Sequence, residues 1–538
     1  MMTCPTRGEV ESLYHKISGF EFKEILINIA RNSREGATIL DAGRGNPNWT
    51  ATLPRQAFFA FGQFAVLETQ HTWKAENLAG MPSLKGIGTR LERYLKAYPD
   101  LKIANFIREF IDYGVKKLGF NQELFIYELA HGIIGDQYPF PDRSLVHIEK
   151  VVKAYLMKEL CPNREIPGEF HMFSVEGGAA GMCYLFNSLM HNHLLHKGDK
   201  IALMTPIFTP YLEIPELPEY EFETVYIRAS RVEENGRTSM QYTKEALDVL
   251  KDPEIKVVFI VNPNNPLSTA LSDTSKNYLV QLVKEERPDL MIVTDDVYST
   301  FVPRFCSLIA DLPYNTLCIY SLSKYFGVTG WRLGTVLLHE ENVFDASISK
   351  LEDWEKEELE KRYNSLGTHA KDVKFIDRMV ADSRLVALNH TAGLSTPQQV
   401  QMAFFCGFAL MDEGDAYKKL TRRICKKRKR LLYEGMQREL ITDPYDAYYY
   451  TEVDVAEWIE SQWGVETATE IINRYKCVDF LYELAHTHNV ILLAGDGFAS
   501  SKWTVRVSLA NLEEGAYPRI GRAMYQVLQK WVKEVKSL

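Results

Sequence analysis

Through the middle of the chain, short apolar runs alternate with longer stretches whose hydrophobic residues recur at helical spacing. Residues 201–204, 257–261, 291–294 and 316–320 are almost wholly apolar, the pattern of strands buried on both faces, and residues 173–175 pass from a strand into a long helical pattern. Strands alternating with helices predict an α/β fold with a mostly parallel sheet, which gathers ligands at the carboxyl ends of its strands. A large domain is expected at about residues 144–410. A smaller domain combines the N-terminal region, 1–143, with the C-terminal segment, 411–538. The stretch 347–382 is rich in Glu and Lys and reads as a helical insertion serving assembly or covering the active site. Residues 20–30 are periodic, and Lys23 among them reads as part of a solvated helix face.

Composition narrows the class of protein. At 538 residues with 46% hydrophobic, the chain exceeds one ordinary domain and has ample core. Its net charge of -9 opposes general nucleic-acid affinity. The basic run of Arg422, Arg423, Lys426, Lys427, Arg428, Lys429 and Arg430 disagrees, but on a helical pattern it reads as a solvated face or a subunit contact. No apolar stretch approaches the roughly eighteen residues of a membrane helix, and the first residues lack signal-peptide design, so a cytoplasmic location with no membrane partner is expected. The eight cysteines have no Cys-x-x-Cys spacing, so neither disulfides nor a metal site is expected. His191, His193 and His196 read as a polar helix end.

The chemistry is concentrated at Tyr320-Ser321-Leu322-Ser323-Lys324-Tyr325-Phe326-Gly327-Val328-Thr329-Gly330-Trp331-Arg332-Leu333-Gly334. Lys324 follows the end of a buried strand, where lost hydration disfavours its ammonium form and suits an amine that condenses with an aldehyde. Ser321 and Arg332 can both donate to one phosphate, and the glycines allow close backbone approach.

This stretch resembles the cofactor-lysine segment of fold-type I pyridoxal 5'-phosphate enzymes, the aminotransferase superfamily. The resemblance implies a large domain with a seven-stranded sheet, a smaller α+β domain, and a phosphate site that includes Ser321, Ser323 and Arg332. Asp295, in Asp295-Asp296-Val297-Tyr298, is placed to pair with the pyridine nitrogen, and Tyr298 to reach the phenolate oxygen. Asn265, in Asn262-Pro263-Asn264-Asn265-Pro266, matches a second donor to that oxygen, although Leu267-Ser268 stands where Thr-Gly is usual. Gly178 and Ala179 open a helix whose amides can face the phosphate; a dinucleotide loop is the alternative there, but no Gly-x-Gly-x-x-Gly fingerprint supports it. Phe208 aligns with the ring that stacks on the cofactor, with a place in the core as its other reading. Arg506, in Val505-Arg506-Val507-Ser508, resembles the arginine that grips the substrate α-carboxylate. Tyr138 resembles a tyrosine lent to the phosphate by a partner subunit, implying a homodimer with shared active sites inside a larger homo-oligomer.

Two further segments, Leu40-Asp41-Ala42-Gly43-Arg44-Gly45-Asn46-Pro47-Asn48 and residues 389–399, look like those of aspartate 4-decarboxylases. The likeness implies that Arg44 and Thr391, with Lys23 as a further candidate, handle the substrate's distal carboxylate, and that Gly45 and Asn265 also bind substrate. Asp496 replaces an arginine common in such sequences and reverses a local charge. The implied reaction is loss of the β-carboxylate of L-aspartate to give L-alanine and CO₂, with amino-group exchange with 2-oxo acids as a side activity. The alternatives are a dicarboxylic amino acid aminotransferase with little decarboxylation, and a catalytically silent binding or regulatory protein.

Overall fold

A computed structural model describes residues 7–14, 17, 19–33, 38–76, 78–136, 143–234, 236–366, 369–384 and 393–537. Its centre is a seven-stranded sheet of β1 (Phe170–Glu176), β2 (Lys200–Thr205), β3 (Glu223–Arg228), β4 (Ile255–Val261), β5 (Met291–Asp295), β6 (Thr316–Ser321) and β7 (Leu333–His339), in the order β1-β7-β6-β5-β4-β2-β3. Neighbours are parallel except around β7, which runs antiparallel to both β6 and β1. That reversal matters for the site. Asp295 at the end of β5 pairs with Val261 and Ile319, while Ser321 at the end of β6 faces Gly334 at the start of β7, and Leu333 faces Glu176 at the end of β1. One edge of the sheet therefore carries the loops after β1, β4, β5 and β6 together with the one before β7.

Gly177 allows the turn from β1 into helix Gly178–His191, because its φ of 89° lies where a side chain is strained. Gly334 faces it so closely that a Cβ would lie 2.5 Å from the Gly177 carbonyl carbon. Behind the sheet, helices Thr52–Thr72, Leu101–Leu118 and Gln122–Ile134 pack around helix Thr396–Met411, with Phe61, Phe110 and Phe404 in contact.

A second core joins Val10, Phe22, Leu26 and Leu40 to residues of the C-terminal segment such as Trp458, Phe480 and Trp531. The N-terminal region is thus divided between the two bodies: residues from Val10 to Ala42 share the C-terminal core, and the helices from 52 to 134 pack on the sheet side. A three-stranded antiparallel sheet of Tyr450–Asp454, Thr504–Ser508 and Leu493–Ala494 sits beside that core. The short strand Leu40–Asp41 pairs with Val490–Ile491, which fixes where the following segment, Gly43 to Gly45, enters the space between the bodies.

The charged insertion packs on the outside of helix Gly178–His191. Buried Asp382 accepts from Ser188 Oγ at 2.7 Å, Tyr363 Oη at 2.9 Å and Arg362 Nε at 2.9 Å. None of its described residues lines the cavity described below. The basic run is split: Arg423, Lys426, Lys427 and Arg430 are exposed, as a solvated face would be, while two of its members are not. Arg428 and Lys429 are buried: Arg428 donates to the carbonyls of Leu509 and Ala510, and Lys429 pairs with Asp446 at 2.5 Å. Helix Ala416–Gly435 runs between the bodies, and its cations satisfy carbonyls and a carboxylate that would otherwise be buried alone. His193 Nε2 lies 3.2 Å from Glu358, tying the histidine cluster to the insertion. The seven described cysteines are free, and no described helix is long and apolar enough to cross a membrane.

Candidate active site

A cavity of about 260 Å³ opens where the carboxyl ends of β4, β5 and β6 meet the loop at Gly45 and the strand carrying Arg506. Gly45, Gly178, Ala179, Phe208, Asn265, Asp295, Tyr298, Ser321, Ser323, Lys324, Arg332 and Arg506 all line it. These residues span 461 positions of sequence, from 45 to 506, and the sheet register brings them together.

Lys324 follows β6 by three residues, and its Nζ donates to the Gly45 carbonyl at 3.2 Å. Ser321 Oγ bonds Ser323 Oγ at 2.9 Å and the Leu333 carbonyl at 3.1 Å. Arg332 donates to the Thr329 carbonyl at 3.1 Å and has no carboxylate partner among the described residues. Its guanidinium packs over Gly177, where a Cβ would come within 2.6 Å of it, so this glycine leaves the cation room beside the first turn of the helix. An unneutralised cation, two serine hydroxyls and the amides of a helix N-terminus form a cradle for a dianion.

At the other end of the cavity, Asp295 accepts from the Val297 amide at 3.2 Å and from Tyr211 Oη at 3.4 Å. Burial pushes its pKa up to about 6, against the lowering effect of those bonds and of Lys324. Asp296 is the next residue and so faces the other way, into a hydrogen-bonded pocket with Thr294 Oγ1 at 2.6 Å and Ser307. The strand alternation thus decides which of two adjacent carboxyls meets a ligand. A raised folded-state pKa favours the neutral acid. The stability Asp295 contributes is therefore complete below its unfolded value of about 4 and is lost as pH rises through about 6. In the ligand-free protein, Tm is expected to fall between pH 4 and pH 7. Asp295→Asn should flatten that fall, which calorimetry at a series of pH values checks.

Arg506 is 2% exposed, and its Nη1 and Nη2 donate to Asn265 Oδ1 at 3.0 Å and the Gly43 carbonyl at 2.8 Å. Its Nε has no acceptor, and no described carboxylate pairs with it. Glu452 lies opposite Arg506 in the sheet, but its carboxyl accepts from Ser500 and Thr504, and burial pushes its pKa up to about 7. A buried guanidinium without a counter-ion is costly unless an anion arrives. Arg506 therefore presents an unmatched positive charge at the cavity.

Four lining or supporting residues were not singled out from the sequence. Tyr450 and Thr329 line the cavity, Tyr449 donates to the Gly45 carbonyl at 2.8 Å, and Tyr211 reaches Asp295. The run Tyr448-Tyr449-Tyr450 ahead of a strand was the available signal.

Other expected residues stand elsewhere. Arg44 does not line the cavity; its side chain is 58% exposed and pairs with Asp41 at 3.0 Å. Lys23 is not on a solvated face, since its side chain is only 13% exposed and its stem covers Gly43. Asp496 accepts a hydrogen bond from Tyr14. Tyr138 and Thr391 lie outside the described residues. Leu267-Ser268 does not disturb the turn: Ser268 takes the left-handed conformation with φ 65°, and Asn265 keeps its place.

The fold and the cavity define a protein of the fold-type I class. Residues 175–522 match the family model of aminotransferase class I and II, and the chain belongs to that family. It is 42% identical over 97% of its length, and 98% of the relative's, to a Pseudomonas protein named bifunctional aspartate aminotransferase and L-aspartate beta-decarboxylase. Among solved structures, the aspartate aminotransferase of Rhizobium meliloti superposes with a TM-score of 0.57 at 16% identity, covering 95% of this chain and 96% of that one. A Pyrococcus structure titled protein-A1 reaches 0.59 at 16% identity, covering 98% and 100%. These two likenesses speak to the fold.

Proposed function

We propose that the chain binds pyridoxal 5'-phosphate and removes the β-carboxylate of L-aspartate to give L-alanine and CO₂, with amino-group exchange with 2-oxo acids as a second activity. The observation that carries this reading is the full-length likeness to the bifunctional Pseudomonas enzyme, which includes the region before residue 175 that the family model leaves out.

The residues present fit the cofactor. Arg332, Ser321, Ser323 and the amides of Gly178 and Ala179 would hold its phosphate, Phe208 would cover its ring, and Asn265 and Tyr298 would donate to its phenolate oxygen. Asp295 would pair with its ring nitrogen, and a cation there would draw the raised pKa of this carboxyl back down. When bound, the cofactor supplies an aldehyde that takes up amines and a protonated ring that accepts charge from the carbons beside the substrate nitrogen.

The protein does the rest. Arg506 holds the substrate α-carboxylate through paired N–H donors and so sets the direction of the Cα–H bond. Lys324, once its amine is free, takes the proton from Cα and returns it. The Gly45 carbonyl, which already accepts from Lys324 and Tyr449, restricts where that amine rests between transfers. Departure of CO₂ demands a loosely paired distal carboxylate, because a tight ion pair would hold the charge where it is. Arg44, turned toward Asp41 in this structure, leaves that carboxylate without a clamp. The second reading is a dicarboxylic amino acid aminotransferase in which CO₂ loss is minor, since the name of the Pseudomonas relative carries both activities.

Purified protein given L-aspartate alone should release alanine and CO₂. Oxaloacetate formed only when a 2-oxo acid is added would select the second reading, and no product under either condition would reject both. A homodimer in which Tyr138 reaches the neighbouring site belongs to this proposal, as does assembly into larger homo-oligomers.

Gly45 offers a local check. A Cβ there would lie 2.6 Å from the Tyr450 hydroxyl and 3.1 Å from Lys324 Nζ. Gly45→Ala should displace the amine and lower kcat by about tenfold to a hundredfold, as small misplacements of a reacting group do. Cofactor absorbance should stay in place, so steady-state kinetics beside a spectrum separates the two effects.

A further inference from the structure

We propose that Tyr450 is a positioning residue that couples the carboxylate-binding arginine to the tyrosine facing the cofactor. This rests on reading the cavity as a pyridoxal phosphate site. Tyr450 opens the strand Tyr450–Asp454, lines the cavity and is 2% exposed. Its hydroxyl lies 3.0 Å from that of Tyr298, and the Arg506 guanidinium stands over its ring at 4.3 Å.

A phenol has a single proton to donate. If Tyr298 turns its proton toward the cofactor oxygen, the proton in the 3.0 Å bond must come from Tyr450. Donation onto Tyr298 polarises its own O–H and strengthens its bond to the cofactor. The Tyr450 ring meanwhile covers one face of a guanidinium whose Nη atoms are directed edge-on by Asn265 and Gly43. Phe498 also lies against the guanidinium, at 4.8 Å, but only Tyr450 touches both Arg506 and Tyr298, and so bears on the plane of one and the donor strength of the other.

The anchoring of Tyr450 is independent of both contacts. Ser268 Oγ accepts from the Tyr449 amide at 2.9 Å and the Tyr450 amide at 3.2 Å. Ser268 holds a left-handed φ of 65°, at the position where the resemblance leads one to expect glycine. A glycine would suit that conformation better but has no hydroxyl to hold the tyrosines. The departure from the usual Thr-Gly is therefore tied to the placement of Tyr450.

The test uses cofactor-loaded wild type, Tyr450→Phe and Tyr450→Leu, with two readouts that need no turnover. The first is the pH midpoint of the visible chromophore that Lys324 makes with the cofactor. The second is the affinity for succinate, a dicarboxylate without an amine. A donor to the cofactor oxygen stabilises its negative charge and so eases loss of the proton on the neighbouring nitrogen; a weaker donor raises the midpoint. Tyr450→Phe keeps the ring, so succinate affinity should stay within about twofold while the midpoint rises by about 0.5–1 unit. Tyr450→Leu should show the same rise and bind succinate about tenfold more weakly or worse.

An unmoved midpoint in Tyr450→Phe, or undiminished succinate binding in Tyr450→Leu, overturns the coupling. Should Tyr450→Leu not fold, Tyr450→Met replaces it with the same expectation. A purely structural role would lower Tm and leave the Phe midpoint in place. Wild-type protein that stays colourless with added cofactor is a separate failure, since it rejects the reading of the cavity itself.

Discussion

Lys324→Ala is expected to lower alanine and CO₂ formation from aspartate by about 10⁴-fold or more, because it removes both the amine that condenses with the cofactor and the base at Cα. Lys324→Arg should fare no better. A guanidinium stays protonated at any pH the protein survives, so it can neither attack an aldehyde nor take a proton. Borohydride treatment followed by mass spectrometry should find the cofactor fixed to residue 324 in wild type and to no residue in either variant. Binding itself should persist more weakly, since Arg332, Ser321 and Asp295 remain in the cavity. Turnover within tenfold of wild type would remove Lys324 from the chemistry.

Arg506→Ala should lower kcat/KM for aspartate by about 2–5 kcal/mol, roughly thirtyfold to several thousandfold, the usual cost of truncating one partner of a buried charged pair. Two losses combine. The substrate carboxylate loses its counter-ion, and Asn265 Oδ1 and the Gly43 carbonyl lose their donors. Arg506→Lys should recover little, because one ammonium cannot reproduce two parallel N–H donors that are already directed by those acceptors. The effect should appear with every α-amino acid tested. A loss confined to aspartate would place Arg506 at the distal carboxylate instead.

Much of the cavity was legible in the sequence for a definite reason. Residues that serve a cofactor directly sit within a turn of a buried strand's end, so the apolar run marks the strand and the next polar residues mark the site. Asp295 after residues 291–294 and Lys324 after residues 316–320 are found this way, and the parallel pairing of Asp295 with Ile319 brings the two strand ends to one edge. Tyr450 escaped because it opens an antiparallel strand in the other body, where nothing in its neighbours' spacing points toward the cofactor. Arg44 shows the converse. Its loop brings Gly45 to the cavity, but whether the Arg44 guanidinium turned inward or toward Asp41 depended on a contact three residues away that competes for it. Arg428 departs from the solvated face of its exposed neighbours for a related reason: charge along one helix does not reveal that the chain folds carbonyls of Leu509 and Ala510 against it.

By itself the sequence determined the order of strands and helices, the polar residues at the strand ends that now line one cavity, and the class of chemistry. These depend on which side chains lie near one another along the chain. Only the tertiary structure decided that Arg506 is buried with no described carboxylate beside it, that the Gly45 carbonyl accepts from the lysine amine, and that Tyr450 lies against both Tyr298 and Arg506. Such facts arise where segments hundreds of residues apart exclude water together, and the energy of a charge or a hydroxyl is set by that exclusion rather than by its neighbours in sequence.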